Sequence, residues 1–264
     1  MLLPSVVAAK SRNYVPQLFA TLRVLVAQPV RAPTRLKRPA AAHRLGRDML
    51  LLTTIGGAVV IALMLSVDAT AIALMPPRGS PDLWPARILT YFGKDTYVLC
   101  ALIAALAVIV LLAPLSRRAA WVRFLRLGTK VQYLFFSVAF SSLLAKVLKY
   151  LAGRGRPFVG GKADVLNFVP FKGTEPYFSF PSSHAVTACA LAFAVGALWP
   201  RARIAMWAYA ILIGATRLVL LAHHPSDVAA GAIVGVLGAM VVRYWFARRR
   251  LGFAVRGEGE IVPL

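Results

Sequence analysis

Lys149, Arg156 and Arg217 are three cations, His184 and His223 two imidazoles, Asp227 a carboxylate, and Ser182, Ser183 and Thr216 hydroxyls. They fall into three short polar clusters: Lys149-(x6)-Arg156-Pro157, Pro181-Ser182-Ser183-His184 and Thr216-Arg217-(x5)-His223-(x3)-Asp227. Such a set holds a phosphate and attacks it through a histidine. Each cluster sits at the end of an apolar stretch, where an unpaired charge costs several kcal/mol. Arg217 is the least bland of them, because it lies inside the apolar run Ile211 to Ala222. His223 and Asp227 are four positions apart across a helix start containing Pro225. That spacing brings the carboxylate towards one ring nitrogen and leaves the other free. Pro181-Ser182-Ser183 opens a helix whose free N–H groups favour an oxyanion, and His184 places a titratable ring in its first turn.

The elements that must position these groups are membrane spans. The 264 residues are 59% hydrophobic with a mean hydropathy of +0.70. That composition predicts an all-α polytopic membrane protein with six transmembrane helices in a bundle. The runs are Met49–Val67, Tyr97–Leu115, Val131–Leu148, His184–Trp199, Ile204–Ala222 and Val228–Phe246. Gly231 and Gly235 give the last one a small-xxx-small spacing suited to close packing. A net charge of +22 in a soluble chain would point to nucleic acid, but no base-stacking or groove-reading module is visible. The basic residues collect instead between the apolar runs. Cys100 and Cys189 lie inside such runs, which argues against a metal site or a disulfide framework.

Charge orients the bundle. The tail 1–47 carries nine Lys/Arg, the second link has Arg117, Arg118, Arg123, Arg126 and Lys130, and the fourth has Arg201 and Arg203. The C-terminal segment adds Arg248, Arg249, Arg250 and Arg256. The positive-inside rule makes these four segments cytoplasmic and puts all three polar clusters on the opposite, non-cytoplasmic face. The chain therefore divides into a basic cytoplasmic tail over 1–47, a six-span domain over 48–247 and a basic cytoplasmic tail over 248–264. Five prolines disfavour a long helix in the first tail, although Tyr14 to Val30 suits a short interfacial one. The tail shares its composition with organellar transit peptides, but basic residues commonly flank a first span for topological reasons.

Taken singly, several of these residues have plainer readings. Lys149 reads as a snorkelling anchor beside Lys146, Arg156 as an interfacial arginine after a glycine-flanked turn, and Ser182 as a helix cap. His224 reads as an interfacial bystander, and His43 belongs to the basic tail.

Together the motifs KYLAGRGRP, PSSH and TRLVLLAHHPSD resemble those of the type 2 phosphatidic acid phosphatase superfamily. That superfamily includes bacterial membrane lipid phosphatases and the vanadium haloperoxidases. The resemblance covers residues 145–230 in detail and the six-span layout more loosely. Two positions depart from the family pattern: Ser183 stands where the second motif usually has Gly, and Thr216 where the third usually begins with Ser. The resemblance implies that His223 attacks phosphorus to give a phosphohistidine and that Asp227 orients it. His184 would protonate the leaving oxygen and then activate water. Lys149, Arg156, Arg217, Ser182 and the Ser183 N–H would hold the phosphate oxygens. It implies no cofactor and no metal, because three fixed cations supply the electrostatics.

The expected function is thus hydrolysis of a lipid phosphomonoester or diphosphate at the periplasmic face of a bacterial inner membrane. The partners are a lipid phosphate substrate and the membrane, with no nucleic acid. Undecaprenyl diphosphate, phosphatidylglycerophosphate, phosphatidate and lipid A 1-phosphate all fit. The loop Val159–Phe180, with Lys162, Lys172, Glu175 and several aromatics, would roof the site. A lipid phosphotransferase, such as a lipid A-modifying enzyme, would use the same phosphohistidine. A vanadate-dependent haloperoxidase would use the same cradle, but six spans argue against it.

Overall fold

The structure is a computed structural model that describes residues 13–33, 38–161 and 164–264. Its helices are α1 (Tyr14–Val30), α2 (Arg38–Ser66), α3 (Asp68–Leu74), α4 (Trp84–Tyr91), α5 (Asp95–Leu112), α6 (Arg118–Ala152), α7 (Ser183–Leu198), α8 (Arg203–Val219) and α9 (Pro225–Ala247). A two-stranded antiparallel hairpin, β1 (Phe253–Arg256) and β2 (Glu260–Pro263), ends the chain.

Five helices are long and apolar enough to cross a membrane, and α7 is a shorter apolar sixth. These are the six runs read from the sequence, so the protein is an all-α integral membrane bundle. Its 16 residues do not weaken the assignment of α7, because it packs among α6, α8 and α9. Val186, Ala188, Ala190, Ala192 and Ala194 are fully buried. A helix that meets protein rather than lipid need not match the bilayer thickness. At 35 residues, α6 is about 52 Å long and outreaches the ~30 Å hydrocarbon core.

The small-xxx-small spacing in α9 is used. A Cβ on Gly231 would lie 2.6 Å from the Ser182 carbonyl oxygen, and one on Gly235 would lie 2.4 Å from that of Val186. These two glycines let α7 and α9 approach backbone to backbone, and Ser182 N donates to Asp227 O at 3.0 Å. The second and third sequence motifs are thereby fastened to each other at one end of the bundle.

The regions read as tails are folded wherever the structure describes them. Helix α1 packs on the start of α6: Trp121 Nε1 donates to Thr21 Oγ1 at 3.0 Å, and Thr129 Oγ1 donates to Gln28 Oε1 at 2.7 Å. Pro16 sits in its first turn, where a missing N–H is tolerated. At the C-terminus Phe253 is fully buried, its ring 4.8 Å from that of Tyr133. Residues 1–12 lie outside the described residues.

Candidate functional site

The C-terminal end of α6, the N-terminal ends of α7 and α9 and the C-terminal end of α8 meet at one end of the bundle. Helix α6 stops at Gly153, whose φ of +56° is left-handed. A Cβ there would collide with the Val169 carbonyl at 1.8 Å, so the turn requires glycine. The chain then folds back over the helix end. Val169 N donates to Gly153 O at 2.9 Å, Gly155 N to Asn167 O at 2.8 Å, and Ser179 N to Arg154 O at 3.0 Å. Helix α8 ends with Leu221 in the left-handed region at φ +49° and with Ala222 N donating to Arg217 O at 3.0 Å. That closure turns the chain into His223.

Of the three cations, Lys149 and Arg217 are buried, at 7% and 8% exposed. Lys149 Nζ donates to Phe178 O at 2.6 Å, which rules out the anchor reading. Lys146, three residues earlier, is exposed and lies 3.8 Å from Asp95 on a different side of the helix. Arg217 NH1 donates to Thr90 Oγ1 at 2.6 Å, while its Nε is buried without a partner. Arg156 is half-buried; its NH2 pairs with Glu175 at the rim, and its Nε is buried and unpartnered. Ser182 is fully buried and its Oγ has no partner. Ser183 and His184 follow it on the half-buried first turn of α7. His184 lies within electrostatic reach of Arg217, His223 and Lys149. The structure therefore brings together every site residue expected from the sequence.

His223 is 3% exposed. Burial pushes its imidazole down from the ordinary 6.5 to about 3; Lys149 and Arg217 deepen the fall and Asp227 opposes it. The ring is neutral at physiological pH, as a nucleophile must be. Its Nδ1 is 3.7 Å from Asp227 Oδ2, which is beyond hydrogen-bond range. Ser179 fills the gap: its Oγ is 3.4 Å from His223 Nδ1 and donates to Asp227 Oδ2 at 2.6 Å.

Asp227 is held by more groups than the spacing indicated. Its Oδ2 accepts from the His224 backbone N–H at 2.8 Å and lies 3.1 Å from His224 Nδ1. His224 is fully buried and caps α9, so the bystander reading is corrected. It is the N-cap of α9, with extended backbone at φ −80° and ψ 157°. Helical register does not apply at such a residue.

The other Asp227 oxygen binds Arg154, which the sequence reading passed over. Arg154 is fully buried; its NH1 donates to Asp227 Oδ1 and to Ser226 Oγ, both at 2.7 Å. Its NH2 donates to Asp68 Oδ2 at 2.8 Å, and Asp68 Oδ1 accepts from Ser226 N at 2.9 Å. Arg154 NH2 and Nε also reach the Val165 carbonyl at 2.6 and 3.1 Å. One guanidinium thus ties the link after α2, the loop after α6 and the start of α9 together. Of the roofing residues, Lys172 lies over the Tyr177 ring; Lys162 is outside the described residues.

Comparison with known proteins places the chain in a family. The family model for the PAP2 superfamily matches residues 130–251. A lipid A 1-phosphatase of Rhizobium etli is 34% identical over 205 residues, 74% of this chain and 84% of that protein. The chain belongs to the PAP2 superfamily. A lipid A 1-phosphatase of Rhizobium johnstonii is 42% identical over 127 residues, 48% of this chain and 52% of the relative, so the match spans about half that protein's length. Among solved structures, the transmembrane PAP2 type phosphatidylglycerolphosphate phosphatase from Bacillus subtilis matches with a TM-score of 0.47 and 22% identity, over 77% of this chain and 94% of that one. The all-α membrane bundle, the superfamily and the class of enzyme, a phosphatase, are as the sequence motifs implied. Arg154 and Asp68 are additions to the PAP2 motif residues that only the structure reveals.

Proposed function

We propose that this PAP2 protein removes the phosphate from lipid A 1-phosphate or a closely similar lipid phosphomonoester, through a phosphohistidine at His223. One observation carries the reading. Three donors, Arg217 Nε, Arg156 Nε and Ser182 Oγ, are buried without partners in the cluster that holds neutral His223 and cationic Lys149. Buried atoms without partners occur elsewhere among the described residues, but these three donors share one cation-rich cluster, and a bound oxyanion satisfies all three.

In the first step His223 Nε2 gives its lone pair to phosphorus as the bond to the lipid oxygen breaks. Nδ1–H faces Ser179 Oγ, whose hydroxyl donates to Asp227 Oδ2, so positive charge forming on the ring is felt by the carboxylate through one hydroxyl. His184, protonated once the negative charge of the bound phosphate offsets the neighbouring cations, gives its proton to the departing lipid oxygen. In the second step neutral His184 takes a proton from water, the water oxygen bonds to phosphorus, and the P–N bond breaks to release phosphate and free His223. Lys149, Arg156 and Arg217 neutralise the equatorial oxygens throughout.

Charge supports a periplasmic site: the basic segments lie at the opposite end of the bundle from it. An apolar cleft of about 340 Å³ supports a lipid substrate. It is lined by Ile72, Met75, Arg78, Phe158 and Leu221, the last two within two residues of Arg156 and His223. The preference for lipid A rests on the two relatives. The test is phosphate release by purified protein from lipid A, phosphatidate and undecaprenyl diphosphate, with EDTA present. The proposal expects lipid A to lose its 1-phosphate fastest and His223→Ala to release none. Hydrolysis of the other two with lipid A untouched would refute the lipid A assignment. Activity abolished by EDTA would refute the metal-free chemistry.

A further inference from the structure

A second, larger cavity of about 660 Å³ lies at the end of the bundle remote from His223. Three elements enclose it: the end of α1, the second to fourth turns of α6, and the segment joining α9 to the hairpin. Arg31, Arg126, Lys130 and Arg250 line it together with Gln28 and Thr129; no acidic side chain does, and the α-carboxylate of Leu264, which also borders it, makes no ion pair with them. Among the described residues none of these four cations takes part in an ion pair.

Four cations converging on one cavity repel each other unless an anion joins them. Their backbones are fixed. Thr129 donates to Gln28, Arg249 Nε donates to Arg31 O at 3.0 Å, and Leu251 and Phe253 are buried beside Arg250. Lys130 is held over the Trp199 ring at 5.4 Å.

The wall formed by α1 identifies the anion's source. This helix turns Gln17, Thr21, Leu25 and Gln28 inward against α6 and α5's end, and leaves Val15, Phe19, Leu22, Val26 and Val30 outward. Phe19, Val26 and Val30 are 65, 69 and 74% exposed. A helix with a mostly polar face towards protein and an apolar stripe facing out is built for hydrocarbon surroundings. The stripe ends at Val30, next to Arg31 in the cavity.

We infer that this cavity binds the phosphate headgroup of an anionic phospholipid, with the acyl chains lying along the outward stripe of α1. It is a lipid site separate from the catalytic cluster and independent of the substrate assignment. The headgroup joins α1, α6 and the C-terminal hairpin, three segments that otherwise present like charge to one another.

The test is native mass spectrometry of protein reconstituted in zwitterionic nanodiscs and titrated with phosphatidylglycerol. The variants are Arg126→Gln/Lys130→Gln and a control, Arg123→Gln/Arg201→Gln, which removes two exposed cations from the same end outside the cavity. Near a membrane surface two lost cations predict about a 30-fold weaker retention of phosphatidylglycerol in the first variant. The control is expected to bind like the wild type. Equal losses in both variants would reduce the effect to general surface charge and overturn the inference, as would unchanged retention in the first. Displacement of the lipid by millimolar inorganic phosphate would show a soluble anion site instead and overturn the lipid assignment.

Discussion

Replacing Arg154 with Met is expected to damage stability and catalysis together, although no part of the side chain reaches solvent. The substitution keeps most of the volume and removes a guanidinium that ion-pairs with two fully buried carboxylates, Asp68 and Asp227, at 2.8 and 2.7 Å. Breaking a buried pair by deleting one partner costs about 3–5 kcal/mol, because the other charge is left unpaired. Here two carboxylates are stranded, so the loss falls at the upper end of that range or the carboxylates take up protons. Catalysis suffers because Asp227, relieved of Arg154 on Oδ1, no longer holds Ser179 and His224 in place on Oδ2. A displacement of about 1 Å in His223 lowers turnover by about 100-fold. The assay is a denaturation series in mild detergent beside phosphate release at saturating substrate. Adding Asp68→Asn should recover about 1–3 kcal/mol, since it neutralises one stranded charge. Arg154→Met protein as stable as wild type, or a double variant no better than the single, would refute the coupled network.

Three further outcomes follow from other contacts. Thr90→Val removes the hydroxyl that Arg217 NH1 donates to at 2.6 Å, and should raise KM about 10-fold with a smaller change in kcat. His184→Gln should lower kcat by about 10²–10⁴-fold while leaving substrate binding near wild type, measured by rates and equilibrium binding. The third concerns pH. Because burial lowers the folded His223 pKa to about 3, the unfolded chain binds more protons than the folded one between pH 3 and 6.5. Stability therefore falls as pH drops through that window, and a denaturant series from pH 4 to 7 should show His223→Phe with a shallower pH slope than wild type.

Much of the site is legible in the sequence because charge inside an apolar run is conspicuous. Lys149, Arg217 and Asp227 stand out against Leu and Ala, and the motif spacing groups them with His184 and His223. Arg154 does not stand out. It sits between glycines two residues from a better candidate, and a loop arginine is ordinarily a solvated one. Asp68 looks like a polar stop after a span, and Thr90 and Ser179 are ordinary hydroxyls, so their roles appear only when four distant segments are brought together. The folded ends were obscured for another reason. Basic residues and prolines argue for tails, while the buried face of α1 is mostly polar and matches α6 by hydrogen bonds around one apolar contact, Leu25 against Trp121 and Leu125. The short α7 is legible as an apolar run, but at 16 residues its burial among α6, α8 and α9, not its length, makes it part of the bundle.

The central claim is covalent: phosphate passes through His223. Rapid-quench trapping with lipid substrate labelled in its phosphate tests this directly. The account predicts an acid-labile, alkali-stable label on the protein, mapped to His223, accumulating in His184→Gln and absent in His223→Ala. Phosphate release by His223→Ala at a substantial fraction of the wild-type rate, or a label mapped to a serine, would contradict it.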